Sequence, residues 1–132
     1  MTIRRAALLL GVSLLAACSH NASRTEPVVL EAQSQCPVHL AVGQALTLSL
    51  PSNPSTGYRW LLQNPANAVL TALGPEVYSS ADSDGMVGSA GQSTWRWRAS
   101  QPGSGHLLLV YQQPWAPEEK PARTFDCDIE VR

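Results

Sequence analysis

Charge is scarce in this sequence: 14% of its 132 residues are Asp, Glu, Lys or Arg, and 9 basic against 10 acidic side chains leave a net of −1. Without a basic excess there is no electrostatic footprint for the phosphates of nucleic acid, so that class of partner is excluded. Aromatic residues are also few, at 6%, with a single phenylalanine. The longest apolar run, Ala6 to Ala17, has 12 residues. A membrane-spanning helix needs roughly 20. The three histidines, His20, His39 and His106, stand apart, and no H-x-x-x-H or C-x-x-C occurs. No metal or cofactor is therefore expected. The chain also lacks a G-x-S-x-G elbow and a phosphate-cradling glycine loop. Glu118-Glu119 lies between prolines and reads as a solvated loop tip, not a glycosidase dyad. With no nucleophile, base and orienting group in one place, an enzyme is not expected.

Turn residues and alternating apolar residues are abundant. Ten prolines and nine glycines punctuate the chain, and no long window carries the 3.6-residue period of an amphipathic helix. From Pro37 onward apolar residues recur at every second position: Leu46, Leu48, Leu50; Tyr58, Trp60, Leu62; Trp95, Trp97; Leu107, Leu109, Tyr111; Phe125, Cys127, Ile129, Val131. Period two predicts strands with one buried face. Residues 36 to 132 accommodate about seven or eight such strands, which predicts an all-β, immunoglobulin-like antiparallel sandwich with one core.

The N-terminus has the pattern of an export signal. Arg4-Arg5 supplies a positive region, Ala6 to Ala17 a short apolar one, and Leu15-Ala16-Ala17 ends it on small residues directly before Cys18. This ending resembles a bacterial lipobox, which implies a lipoprotein signal over residues 1–17, acylation of Cys18, and anchoring through several acyl chains. Ser19 after the cysteine predicts the outer membrane, with the domain facing the periplasm or the surface. Loss of residues 1–17 leaves 7 basic and 10 acidic groups, a net of −3. Residues 18–35, polar and poor in large apolar side chains, predict a lipidated start and a flexible tether, with the folded domain spanning 36–132 as a monomer.

Two cysteines remain once Cys18 is acylated. Cys127 is in phase with Phe125, Ile129 and Val131 and so points inward, while Cys36 precedes the first expected strand. In an oxidising compartment the pair predicts a disulfide closing a loop of about 91 residues, worth on the order of 4 to 5 kcal/mol in the chain-entropy model. Two buried free thiols are the alternative.

Three loops stand out. The first, Asn53-Pro54-Ser55-Thr56-Gly57-Tyr58, joins two strand patterns through an Asn-Pro turn and a glycine that permits positive φ. The second runs from Asp84 through Gly88, Ser89 and Ala90 to Gly91. The third, Gln112-Gln113-Pro114-Trp115-Ala116-Pro117, places a tryptophan at a loop tip. Successive loops lie about 30 residues apart, room for two strands, and two antiparallel strands return the chain to the same end of a sandwich. All three are expected to cluster there.

These loops resemble those of the chagasin-like inhibitors of papain-family cysteine peptidases. Asn53, Pro54, Thr56, Gly57 and Tyr58 match the family's Asn-Pro-Thr-Thr-Gly-Tyr/Phe loop, with Ser55 replacing the first threonine. Gly88 and Gly91 fit its Gly-x-Gly-Gly type loop, with Ala90 where a glycine is usual. Pro114 and Trp115 match its Arg-Pro-Trp, with Gln113 in place of the arginine. The resemblance covers residues 36–132, including the strand pattern around Trp95, Trp97, Gly103 and Tyr111. It implies tight, reversible, competitive inhibition: Ser55-Thr56-Gly57 over the catalytic centre, residues 88–91 along one side of the cleft, and Trp115 packed on the other. Two other readings use the same scaffold: an envelope module binding peptide or glycan, or an inhibitor of another envelope-active enzyme such as a lysozyme.

Overall fold

The computed structural model describes residues 26–80 and 91–132. Among them are nine strands: β1 Val28–Leu30, β2 Val38–Leu40, β3 Ala45–Ser52, β4 Arg59–Pro65, β5 Leu70–Ala72, β6 Val77–Ser79, β7 Gly91–Ala99, β8 Gly103–Gln112 and β9 Arg123–Val131. One sheet has the order β1-β3-β7-β5, with β6 also paired to β7; the other has the order β2-β9-β8-β4. The alternation read from the sequence supplies the core. Leu46, Leu48, Leu50, Trp95 and Trp97 from one sheet meet Leu107, Leu109, Phe125, Ile129 and Val131 from the other, all buried.

The sandwich departs from the expected one in several respects. Among the described residues, 36–132 hold eight strands, β2 to β9, as expected, and the one strand beyond them is β1, whose three residues are too few to show a period. Two pairings, β1 with β3 and β2 with β9, are parallel. The N-terminal segment passes from an edge of one sheet to an edge of the other between β1 and β2, and without a hairpin nothing requires these strands to run antiparallel to their neighbours.

The folded part also starts earlier than Cys36, so the tether does not extend to Gln35. Val28 and Leu30 pair in register with Leu46 and Leu48. The Gln35 side-chain oxygen accepts from the Glu31 and Ala32 amides at 2.7 and 3.0 Å. Gln33 exchanges two bonds with the Asp126 backbone. Polar composition suggested a tether, but these glutamines bond backbone instead of water.

In β4 the alternation fails after Trp60: the register with β8 shifts between Leu62 and Asn64, and Leu62 is left exposed at the sheet edge. Cys36 and Cys127 form the expected disulfide, with Cα atoms 5.4 Å apart, joining the segment before β2 to the centre of β9.

Strand register fixes where the loops lie. Ser52 at the end of β3 pairs with Gly91 at the start of β7, and Ser79 of β6 with Gln92. In the other sheet Arg59 at the start of β4 pairs with Gln112, and Arg123 at the start of β9 with Tyr111. The three loops therefore leave from and return to one end, following β3, β6 and β8.

Candidate functional site

The first loop is a short 3-10 turn, Pro54–Thr56, held by its own side chains. The Asn53 carboxamide oxygen accepts from the Ser55 amide at 3.3 Å and from the Ser55 hydroxyl at 2.6 Å. The Thr56 hydroxyl donates to the Asn53 carbonyl at 2.7 Å. Pro54 presets the first turn position, and Gly57 closes the turn with φ +80°, in the left-handed region where other residues are strained. Both hydroxyl protons are thus donated within the loop. Toward a partner, Ser55 and Thr56 offer oxygens that accept.

Two strand residues carry this loop. The Tyr111 hydroxyl accepts from the Asn53 amide at 2.9 Å, and its ring packs between those of Tyr58, at 5.4 Å, and Trp60, at 4.9 Å. The Trp60 indole N–H donates to the Pro51 carbonyl at 3.0 Å, fixing the end of β3 to β4 across the two sheets. A Tyr-Tyr-Trp column with the polar tips of Tyr111 and Trp60 paired gives the loop a stiff base.

The third loop meets the first. Its Gln113–Ala116 turn is closed by the Ala116 amide donating to the Gln113 carbonyl at 3.0 Å, with Pro114 and Trp115 at the two corners. Trp115 is 70% exposed, yet the edge of its indole lies against Gly57, where an added Cβ would stand 2.3 Å from the ring. Glycine at 57 thus answers two needs, a positive φ and room for Trp115. The Gln113 carboxamide donates to the Thr56 carbonyl at 3.4 Å, a second link between the loops. Between the first loop, the end of β3 and the start of β9 lies a hollow of about 480 Å³ lined by Tyr58, Tyr111 and Arg123 among others.

Of the expected second-loop residues, Gly88, Ser89 and Ala90 lie outside the described residues. Gly91 does not form a loop surface. It is buried in β7, and a Cβ there would stand 2.3 Å from the Ser79 carbonyl and 2.5 Å from the Tyr78 hydroxyl. Its close approach is to the neighbouring strand, and its role is to root the loop. Cys18 also lies outside the described residues.

His106, isolated in the sequence, is not isolated in the fold. Its Nε2 is 2.7 Å from an Asp126 carboxylate oxygen and its Nδ1 2.9 Å from one of Asp128. A neutral imidazole has one N–H, so bonding to both carboxylates needs the imidazolium. The hydrogen bond to Asp128, reinforced by both negative charges, raises the His106 pKa above the ordinary histidine value. This cluster sits on the outer face of β8 and β9 and serves as a cross-strand clamp.

Sequence reading found the tips and missed their supports. Period two marks Tyr111 only as a strand residue, although its position just before the third loop and in phase with Leu107 and Leu109 is the signal for a side chain at the loop end of the core. Arg59 had no signal beyond adjacency to the first loop.

A β-sandwich whose first and third loops turn on prolines and meet at one end, with a tryptophan left exposed, presents a preformed binding surface. Residues 39–129 match the Chagasin family peptidase inhibitor I42, and the chain belongs to that family. It is an inhibitor, not an enzyme. It is 30% identical to Amoebiasin-1 of Entamoeba histolytica over 95 residues, 72% of this chain and 89% of that protein. Among solved structures, the crystal structure of the cysteine protease inhibitor EhICP2 from Entamoeba histolytica is similar in fold, with a TM-score of 0.71 and 21% identity over 82% of this chain and 97% of that one. PbICP-C, solved in complex with falcipain-2, is similar at a TM-score of 0.51 and 19% identity, over 83% and 92% of the two chains.

Proposed function

We propose that the loop end fills the active-site cleft of papain-like cysteine peptidases as a tight, reversible, competitive inhibitor. The observation that carries this reading is the contact between Trp115 and Gly57, which makes the first and third loops one preformed unit. A cysteine peptidase needs an extended peptide bond held in attack geometry at its thiolate. The first loop is curled, with the Gly57 amide bonded to the Pro54 carbonyl at 3.0 Å, so it occupies the site without offering a cleavable bond. Hydroxyl oxygens of Ser55 and Thr56 accept from the imidazolium of the enzyme's ion pair, and the indole of Trp115 packs on the rim. The family resemblance adds residues 88–90 as the part that flanks the cleft on the other side. Because the first and third loops are already ordered, little conformational entropy is lost there on binding. The complex of the similar PbICP-C with falcipain-2 supports the target class.

The remainder of the reading rests on the sequence. Cys18 is acylated after removal of residues 1–17, and the inhibitor is a monomeric lipoprotein of the bacterial outer membrane. Cys18→Ser is expected to release it from the membrane with loss of acyl label; retention with label intact would remove this part. For the inhibitor itself, purified protein titrated against papain and a cathepsin L-like enzyme is expected to give a Kd at or below nanomolar, about −12 kcal/mol. Full activity of both enzymes at micromolar protein would remove the reading.

A further inference from the structure

Beside the first loop, Arg59 opens β4 with an exposed side chain. Its Nη1 donates to two carbonyls of that loop, Pro54 at 3.1 Å and Tyr58 at 2.9 Å. Each guanidinium nitrogen of this kind carries two protons, so both Nη1 protons are engaged in holding the side chain on the loop. Nη2 and Nε donate in none of the bonds observed, and among the described residues no carboxylate forms an ion pair with Arg59. Glu76 shares a depression of about 330 Å³ with Arg59 and Pro54 but lies beyond ion-pair distance.

The guanidinium is therefore docked by one nitrogen and presents its opposite edge outward. That edge is the Nη2/Nε pair, the fork that accepts a carboxylate through two parallel bonds. The residues of the two loop tips, 53–58 and 113–116, include no charged side chain, so Arg59 is the cation anchored directly to the first loop.

We infer that Arg59 is a specificity-determining residue of the inhibitor, presenting its Nη2/Nε edge to a carboxylate side chain on the rim of the target peptidase's cleft. The inference rests on the peptidase-inhibitor reading. Docking through Nη1 removes most of the rotamer freedom an arginine loses on binding, so the contact adds selectivity for acid-rimmed targets at small entropic cost.

The test compares wild type, Arg59→Lys and Arg59→Gln chains against papain and a cathepsin L-like enzyme, each at low and high salt. Wild-type inhibition must be seen first; its absence is a failure of the inhibitor reading, not of the role of Arg59. Given inhibition, Arg59→Gln is expected to raise the inhibition constant roughly tenfold or more against at least one enzyme, as loss of a charge-assisted bidentate contact does. Arg59→Lys, which keeps the charge and loses the fork, is expected to fall between. The loss should shrink as salt is raised from about 0.01 M to 1 M, over which the Debye length falls from about 30 to 3 Å. A merely structural brace on the loop carbonyls predicts a loss that salt does not change. Inhibition constants within about twofold of wild type for Arg59→Gln against both enzymes, or a salt-independent loss, would overturn the inference.

Discussion

In the first loop Asn53, Ser55 and Thr56 direct their side-chain bonds back into the loop, whereas the third loop is closed by backbone alone and leaves Trp115 70% exposed. Both turn on a proline. The first donates both hydroxyl protons internally and gains a fixed shape in which the Ser55 and Thr56 oxygens are left to accept. The third keeps a large apolar surface free, the kind of group that concentrates binding energy at interfaces. Their meeting at Gly57 lets the exposed loop borrow the order of the bonded one, and the Tyr58-Tyr111-Trp60 column passes that order down to the core.

The comparison can be tested from outside the loops first. Replacing both Cys36 and Cys127 with serine removes a crosslink spanning 91 residues and is expected to lower unfolding stability by about 4 kcal/mol. Chemical denaturation measures it. Because the disulfide lies in the body of the sandwich, the affinity of the folded variant for papain should not change. An equal loss of affinity would mean that the loops are not independently ordered.

At the junction, Gly57→Val combines a strained positive φ with a clash against Trp115 and is expected to cost about 3 kcal/mol of affinity, roughly a hundredfold or more, with an unchanged circular dichroism spectrum. Trp115→Ala should cost about 2 kcal/mol or more, seen mainly as faster dissociation by surface-immobilised binding. Thr56→Ala tests the bonded loop. It removes the hydroxyl that donates to the Asn53 carbonyl and should cost about 1 kcal/mol in affinity. If Thr56→Ala proved costlier than Trp115→Ala, the division of labour between the loops would be reversed.

The smallest effect lies away from both. His106 has a raised pKa, so the stability it adds is fully present below the ordinary histidine pKa and is lost as pH rises through the raised value. Melting temperature should therefore fall slightly over that window in wild type and be flatter in His106→Gln, while papain affinity of the two proteins stays equal. A histidine titration by NMR at or below the ordinary value would contradict the clamp.

Much of this molecule was legible in residue types. Long strands such as β7 and β9 bury every second residue, and a period of two survives any pairing partner. The disulfide was legible because Cys127 shares the phase of Phe125 and Ile129. The tips of the first and third loops were legible as a motif, since turn chemistry ties Asn, Pro and Gly to particular positions. Other features depend on what lies across the fold. Val28–Leu30 became a strand because β3 offered a free edge, and Gly91 turned inward because Tyr78 and Ser79 lie over it. His106 gained two carboxylates because β8 and β9 pair in one register and not another. Arg59 reaches loop carbonyls that no spacing rule connects to it.

The central claim is that the joined first and third loops are the surface that enters a peptidase cleft. The most direct measurement is a backbone amide map of the labelled protein by NMR, recorded free and with one equivalent of papain. The account predicts that the shifts and losses of signal gather at residues 53–58 and 113–116, and that the outer face carrying His106, Asp126 and Asp128 is unperturbed beyond the uniform broadening of a larger complex. A footprint centred on that outer face, with the loop amides unchanged, would contradict it.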